Sequence, residues 1–454
     1  MMPITIRELE CAVGGVCRTT TEDPVSISAV STDSRSIKQG CLFIPLTGER
    51  FDGHRFIDAA LDAGAAGVLC ARLPEVLRPD KFYIQVEDTR LSLKLLAKAY
   101  RERFHIPVIQ ITGSVGKTTT KDMIASVLAS RFHVLKTPEN LNNDIGTPLT
   151  LLQLTPEHEV AVIETGMNHF GEIRYLGDLV QPDVAVISNI GDAHIEFLDS
   201  REGILRAKSE IFEHLKPDGT AILNGDDPLL NTLEPPFTTI RCGKSDHCDA
   251  RVSEVLDLGV SGVECTVTTE SKSYRLKIPS PGEHMVYAAS IATAIGERMG
   301  LTEEEIIRGV ASYQSSGSRM RVVRLSDNRT VLDDCYNASP QSVAAALEIL
   351  AKTECGRKIA VLGDMGELGD LTERAHYNMG SLAAMLGIEL TVAIGPKAAK
   401  IAQGVENGGG TVFYFEAKED AVSMLLEEFG GDTAMLVKAS HAMEFEWLVE
   451  QLCK

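Results

Sequence analysis

Eight residues, Thr112-Gly113-Ser114-Val115-Gly116-Lys117-Thr118-Thr119, constrain this chain more than any other segment. They follow Pro107-Val108-Ile109-Gln110-Ile111, a short apolar run suited to a buried parallel strand. They lead into Thr118–Ser130, which places Met123, Ile124, Val127 and Leu128 on one face of a helix. Strand, glycine-rich turn and helix in that order commit this part of the chain to an α/β architecture. The glycines let the backbone curl so that N–H groups point at phosphate oxygens, and the helix adds its positive N-terminal end. Lys117 supplies a point charge to the terminal phosphates, and the Thr118 hydroxyl suits Mg²⁺. Gly113, Ser114, Val115, Gly116, Lys117, Thr118 and Thr119 are therefore expected to hold ATP. The pattern is T-G-x-x-G-K-T rather than G-x-x-x-x-G-K-[ST], because Ile111 stands where the latter has its first glycine.

The rest of the chain divides into three α/β blocks: 1–104, 105–316 and 317–454. In the first, Val25–Val30 and Cys41–Leu46 read as strands, His54–Ala65 and Leu91–Arg103 as helices. In the second, Val160–Glu164, Val184–Asn189 and Thr220–Asn224 add buried strands to a parallel sheet. The third alternates most cleanly, with strands at Thr330–Asp333, Lys358–Leu362, Leu390–Ile394, Thr411–Phe415 and Ala434–Val437. Helices follow at Ser342–Ala351, Arg374–Leu386, Pro396–Ala402, Lys418–Phe429 and Met443–Leu452. That is a doubly wound, Rossmann-like domain, whose ligands gather at the carboxyl ends of its strands.

With 454 residues, of which 44 are basic and 64 acidic, the chain carries a formal charge of −20. A nucleic-acid surface usually leaves a basic excess, so nucleic acid is not an expected partner. Small anions are still compatible, since a few lysines and backbone amides suffice for phosphate. No apolar run approaches the roughly 18 residues of a membrane helix, and the start lacks a secretory pattern, so a cytoplasmic monomer is expected. The 10 cysteines form no C-x-x-C pair. Cys242 and Cys248 flank His247 without metal-site spacing and read as reduced thiols.

Several single residues stand out. Glu164 ends an apolar strand and puts a carboxylate at its ligand-facing end. His194, in Gly191-Asp192-Ala193-His194, is either a structural hydrogen-bonder or a group at the end of strand Val184–Asn189. Arg319 falls at a block junction, as a phosphate contact or a solvated linker residue. The segment Arg201–Lys216 reads as a helix with Asp199 or Ser200 as N-cap. Lys208 lies inside its apolar stripe of Ile204, Leu205, Ile211, Phe212 and Leu215. There a lysine either snorkels to solvent or is buried as a neutral amine able to react with carbon dioxide.

The phosphate-loop variant and the three-block layout resemble the Mur ligase family, which also includes folylpolyglutamate synthases. Three segments are similar to the family branch that adds D-alanyl-D-alanine: Asn140-Leu141-Asn142-Asn143-Asp144-Ile145-Gly146, Asp333-Asp334-Cys335-Tyr336-Asn337-Ala338 and Gly363-Asp364-Met365-Gly366-Glu367-Leu368-Gly369. The resemblance implies that ATP phosphorylates the terminal carboxylate of UDP-N-acetylmuramoyl-tripeptide and that D-alanyl-D-alanine attacks the acyl phosphate. It implies two Mg²⁺ sites formed by Thr118, Glu164, His194 and Lys208, with Lys208 carbamylated. Lys117, Glu164, His194, Lys208 and Arg319 would be catalytic, and His284, Arg319, Asp334 and Asn337 would complete the nucleotide site. Substrate contacts would come from Ser34, Arg35, Thr47, Asn140, Asn142, Asn143, Lys438 and Ser440. The residues alone also allow a polar turn with a local ion pair at Asp33–Arg35.

Two departures touch the site. The family's His-Asn near the adenine, with a further Asn three residues on, reads His284-Met285-Val286-Tyr287-Ala288. The usual Lys-[Gly/Ala]-Ser-Arg reads Lys438-Ala439-Ser440-His441. Three other readings stay open: a folylpolyglutamate synthase-like ligase, a nucleotide switch that hydrolyses ATP without ligating, and a divergent, weakly active paralogue.

Overall fold

Strand Val108–Thr112 is buried along its whole length, between parallel partners Val160–Glu164 on one side and Val184–Ile187 on the other. The computed structural model describes residues 1–18, 26–48 and 51–454. It folds the middle of the chain into a nine-stranded sheet that continues outward through Thr220–Asn224 and Thr238–Gly243. Pairing stays parallel as far as Ala250–Asp257. There the expectation of a parallel sheet fails. Ala250–Asp257, Val263–Thr268 and Ser273–Ile278 form an antiparallel meander. Its last two strands alternate buried and half-buried or exposed positions along Val263–Thr268 and Ser273–Ile278. That period of two marks a sheet with one wet face.

The third block carries a six-stranded sheet, parallel except for edge strand Arg321–Arg324, which pairs antiparallel with Thr330–Asp333. Its five parallel strands fall where the apolar runs placed them, within one or two residues, whereas the edge strand Arg321–Arg324 was not expected. Two helices begin later than expected, at Ala399 and Glu446. The Ala398 amide donates to Asp364 Oδ1 at 2.8 Å, tying the chain down just before the first of these helices. In the first block Val25 lies outside the described residues, and the run behind it does not form one strand. Ser26–Ile27 pairs with Ile4–Thr5, whereas Val30–Ser31 joins a five-stranded sheet beside Leu42–Phe43. That sheet also contains Gly67–Cys70 and Phe82–Gln85, short buried strands that sequence reasoning missed.

The first and second sheets are not packed independently. Leu93, Leu96, Ala97 and Tyr100, on helix Thr89–Arg101, share one apolar cluster with Leu151, Leu154, Ile163 and Leu179 of the middle block. Polar contacts cross the same seam. The Tyr100 hydroxyl donates to the Leu154 carbonyl at 2.5 Å, and Lys94 and Lys98 hold Asp178 at 3.0 and 2.6 Å. The third block instead has apolar clusters of its own on both faces of its sheet. All ten cysteines are free thiols, and His247 bonds the Gly225 carbonyl. Among the described residues no helix is long and apolar enough to cross a membrane.

Candidate active site

The phosphate loop leaves the carboxyl end of Val108–Thr112 and is braced from the next strand's end. Asn189 Oδ1 accepts from the Ser114 and Val115 amides at 3.1 and 2.9 Å, and its Nδ2 donates to the Val115 carbonyl. Ser188 Oγ donates to that same carbonyl. A Cβ on Gly113 would stand 1.9 Å from Ser188 Oγ, so only glycine allows this approach. Gly116 takes a left-handed φ of +76° and starts helix Lys117–Leu128. The first i→i−4 bond is that of the Thr120 amide to Gly116. The Lys117, Thr118 and Thr119 amides precede it and are left for a ligand. Lys117 Nζ folds back onto the Gly113 carbonyl at 2.8 Å. Burial lowers its pKa, with Glu164 pulling the other way.

Glu164, 1 % exposed, sits at the end of its strand as expected. Thr118 Oγ1 donates to its Oε2 at 2.7 Å, and Asn142 Nδ2 to its Oε1 at 2.8 Å. Thr118 and Glu164 thus present two hard oxygens beside the loop, the donor type Mg²⁺ takes. No group of three or more His, Cys, Asp or Glu side chains forms a metal cluster among the described residues. Thr118 and Glu164 fit a cation that keeps water and phosphate oxygens as its other ligands. Of the three asparagines, Asn142 is thereby committed to Glu164. Asn143 Oδ1 caps helix Gly146–Leu151 through the Ile145 and Gly146 amides, so only its Nδ2 is left for a substrate. Asn140 lies in the cleft wall next to Tyr336.

His194, left-handed at φ +65°, lies 18 % exposed with Nδ1 2.8 Å from Glu367 Oε2 of the third block. That contact holds the Glu367 carboxyl below its ordinary range. Lys208 is 1 % exposed, on helix Arg201–Ser209, with Ser200 as the N-cap. The helix is shorter than expected, giving way to a tighter turn over Glu210–His214. Burial, then the Lys117 charge, push the Lys208 ammonium well below its ordinary pKa, and among the described residues no acidic group counteracts them. The snorkelling alternative is therefore not what the fold adopts. Lys208 is not among the residues that line the cleft, although the charge of Lys117, which does line the cleft, reaches it.

Across the cleft, the Arg319 guanidinium stacks 3.7 Å from the centre of the Tyr336 ring. In the sequence Tyr336 stands only as one member of a motif, and no rule singles it out. Its other neighbour is His441, 5.4 Å between ring centres. Asp334 Oδ1 accepts from the Met320 amide. Lys438, 2 % exposed, is fully partnered by Asp334 Oδ2 at 2.5 Å and the Asn337 carbonyl at 2.9 Å. Asn337 Oδ1 accepts from the Ala338 amide, and the Ser440 amide donates to the Asp364 carbonyl. His284 also lines the cleft, its pKa lowered by burial. Met285 is buried, and the Tyr287 hydroxyl is hydrogen-bonded to Asp226.

The phosphate loop from Ser114 onward, Glu164, His194, Arg319 and Tyr336 line one cleft of about 1860 Å³ drawn from all three blocks. Ser34, Arg35 and Thr47 do not reach it. Arg35 pairs with Asp33 at 2.8 Å in an exposed turn, holding that carboxyl at about 2, and Thr47 bridges to Asp52. The first block reaches the cleft instead through Asp88, Arg90 and Leu91, at the start of helix Thr89–Arg101. Asp88 is the N-cap of that helix, and nothing in the sequence marks it as a cleft residue.

Three family models match: the Mur ligase family catalytic domain over residues 26–101, the Mur ligase middle domain over 111–296, and the Mur ligase glutamate ligase domain over 318–441. UDP-N-acetylmuramoyl-tripeptide--D-alanyl-D-alanine ligase of Bacillus subtilis is 38% identical over 100% of this chain and 99% of its own. The Escherichia coli ligase of that name is 34% identical over the same shares. A MurF crystal structure from Acinetobacter baumannii superposes with a TM-score of 0.91 at 32% identity, covering 100% of this chain and 99% of that one. MurF from Thermotoga maritima in complex with ADP gives 0.82 at 28% identity, covering 93% and 96%. A Mycobacterium tuberculosis folylpolyglutamate synthase, at 18% identity and 0.65 over 80% and 95%, shares the fold alone. The chain belongs to the Mur ligase family.

Proposed function

We propose that this protein is an ATP-dependent amide ligase that joins D-alanyl-D-alanine to UDP-N-acetylmuramoyl-tripeptide. One observation carries the reading: the phosphate loop and Glu164 face Arg319 and Tyr336 across a single cleft wide enough for nucleotide and peptide together. A carboxylate is a poor electrophile because it would have to expel oxide. Transfer of the γ-phosphoryl group from ATP makes phosphate the leaving group and releases ADP. The dipeptide amine then attacks the acyl carbon, forming the amide, losing a proton and expelling phosphate. Lys117, the first-turn amides of its helix and Arg319 face the charge on the transferring group. Bound Mg²⁺ would neutralise the crowded phosphate oxygens. Closure of the third block over the cleft keeps water from the acyl phosphate.

Residues 1–104 act as the UDP-substrate domain, 105–316 as the ATPase domain, and 317–454 as the domain that closes on ATP and receives the dipeptide. The matched names favour the cell-wall ligase over a folate-type ligase. ADP release should require both UDP-N-acetylmuramoyl-tripeptide and D-alanyl-D-alanine. Release without either would favour an ATP-hydrolysing switch, and turnover with a folate and glutamate would favour the folate branch.

As a carbamate, Lys208 would add a further hard oxygen ligand to those of Thr118 and Glu164 for bound Mg²⁺. Its neutral amine attacks carbon dioxide, forming an N–C bond and losing a proton to solvent, which leaves a carboxylate on a long arm. Incubation with ¹³C-labelled bicarbonate should give a carbamate carbon signal that Lys208→Ala lacks. The same variant should be nearly inactive and partly rescued by a small added carboxylate. A labelled signal that persists in the variant, or full activity without the lysine, would sink the assignment.

A further inference from the structure

Residues 312–320 connect helix Glu303–Ala311 of the middle block to strand Arg321–Arg324 of the third. Gly317 and Met320 are left-handed, at φ +62° and +51°, so the chain turns sharply on either side of Arg319. This connection is tied at several points. Ser316 Oγ donates to Asp122 Oδ2 at 2.5 Å, and the Ser315 hydroxyl donates to the Arg319 carbonyl. The Tyr313 hydroxyl interacts with the side chains of Thr119 and Ser315. Thr119 and Asp122 are three residues apart on helix Lys117–Leu128, hence on one face of the element whose N-terminus receives phosphate.

Asp122 is itself held firmly. It is 3 % exposed, its Oδ1 takes Lys136 Nζ at 2.7 Å, and Lys121 Nζ stands 3.5 Å away. Lys121 in turn donates to the Thr137 carbonyl and lies 3.9 Å from Glu164. Lys136 already neutralises Asp122, so a purely structural ion pair has no need of Ser316. The added bond spans 194 residues of sequence and reaches the segment that carries Arg319.

We infer that the Asp122–Ser316 bond is a closure latch, a positioning contact that fixes the connection in the register bringing Arg319 into the cleft. It deepens the ATP-dependent ligase reading and rests on it, because the latch matters only if Arg319 meets the nucleotide. The phosphate helix thereby serves both ends of the reaction: its first turn faces phosphate and its second turn sets the third block.

Ser316→Ala and Ser316→Thr in the full chain test this, with ADP affinity by calorimetry, steady-state kcat, and X-ray scattering in the presence of ADP. Ser316→Ala should bind ADP within about twofold of the parent, lose about tenfold in kcat, and scatter as a more open molecule. Ser316→Thr keeps the hydroxyl at a half-buried position and should recover all three. Parental kcat and scattering in Ser316→Ala would overturn the latch. So would a loss explained wholly by weaker ADP binding, or an equal loss in both variants. Substrate-independent ADP release by the parent would instead count against the ligase reading, leaving the scattering comparison to judge the latch.

Discussion

Lys208 and Lys438 are equally buried, at 1 and 2 % exposure, yet differ in every other respect. Lys438 is wrapped by Asp334 and the Asn337 carbonyl, whereas among the described residues no acidic group offsets the burial of Lys208. An unpartnered ammonium is costly in a dry site, so burial favours the neutral amine at Lys208, whereas Lys438 keeps its charge and holds a loop. A similar division holds at 284–288, where the family resemblance puts the nucleotide base. Met285 is buried with the core, and Tyr287 is anchored on Asp226, whose oxygens also take the Lys244 and Ser245 amides. Recognition there falls to packing more than to paired amides. The preference for ATP over GTP in kcat/KM should therefore stay below about a thousandfold, the scale at which dedicated hydrogen bonds would be required. A larger ratio would show that the cleft reads the base edge. At this scale the sequence was legible where a residue type has few uses, as for Lys117 and Glu164. It was silent on Tyr336, Asn189 and Asp88, whose roles depend on neighbours far away in the chain.

Among the elements, the long apolar strands of the middle and third blocks were readable because both faces are buried, which leaves a continuous run. The meander over 250–278 was equally marked by its period-two pattern, but it interrupts an alternation of strands and helices that suggests parallel pairing throughout. The five-stranded sheet of the first block was hardest. Its strands are two to four residues long, too short for periodicity to register. Turns carry roles that the sequence does not separate. Asn143 looks like a ligand residue within an Asn-rich loop, yet its side-chain oxygen caps helix Gly146–Leu151. Asn143→Ala should lower stability by about 1 kcal/mol, and Asn143→Asp, which keeps the acceptor, should not. Urea denaturation of both variants checks this. If Asn143→Asp keeps stability but raises KM for the peptide substrate, the remaining Nδ2 is a substrate contact as well.

For the molecule as a whole, the seam between the first and middle blocks is the firmest joint. Burial opposes ionisation of Asp178, but Lys98 and Lys94 outweigh it, and the carboxyl's pKa lies below its ordinary value. A depressed folded pKa gives stabilisation that is complete above the unfolded value of about 3.9 and is lost as pH falls through the folded value. Asp178→Asn should cost about 1–2 kcal/mol at pH 7, since it leaves two partly buried lysines unpaired. Denaturation of variant and parent from pH 7 down to pH 3 should show that gap narrowing below about pH 4. A gap that stays constant to the lowest pH would mean that the lysines do not act through the carboxylate's charge.

The shared cluster of Leu93, Leu96, Ala97 and Tyr100 with Leu151, Leu154, Ile163 and Leu179 has a consequence for how such a chain can be recombined. A graft that exchanged the first block for a relative's would cut through a common interior and would have to carry the matching half of it along. The third block, with interiors of its own on both faces of its sheet, is the piece that could be traded whole, at a crossover placed within residues 312–320. Changes in the wall that the third block lends to the cleft can therefore arise by shuffling, whereas changes at the first block's end must accumulate one residue at a time.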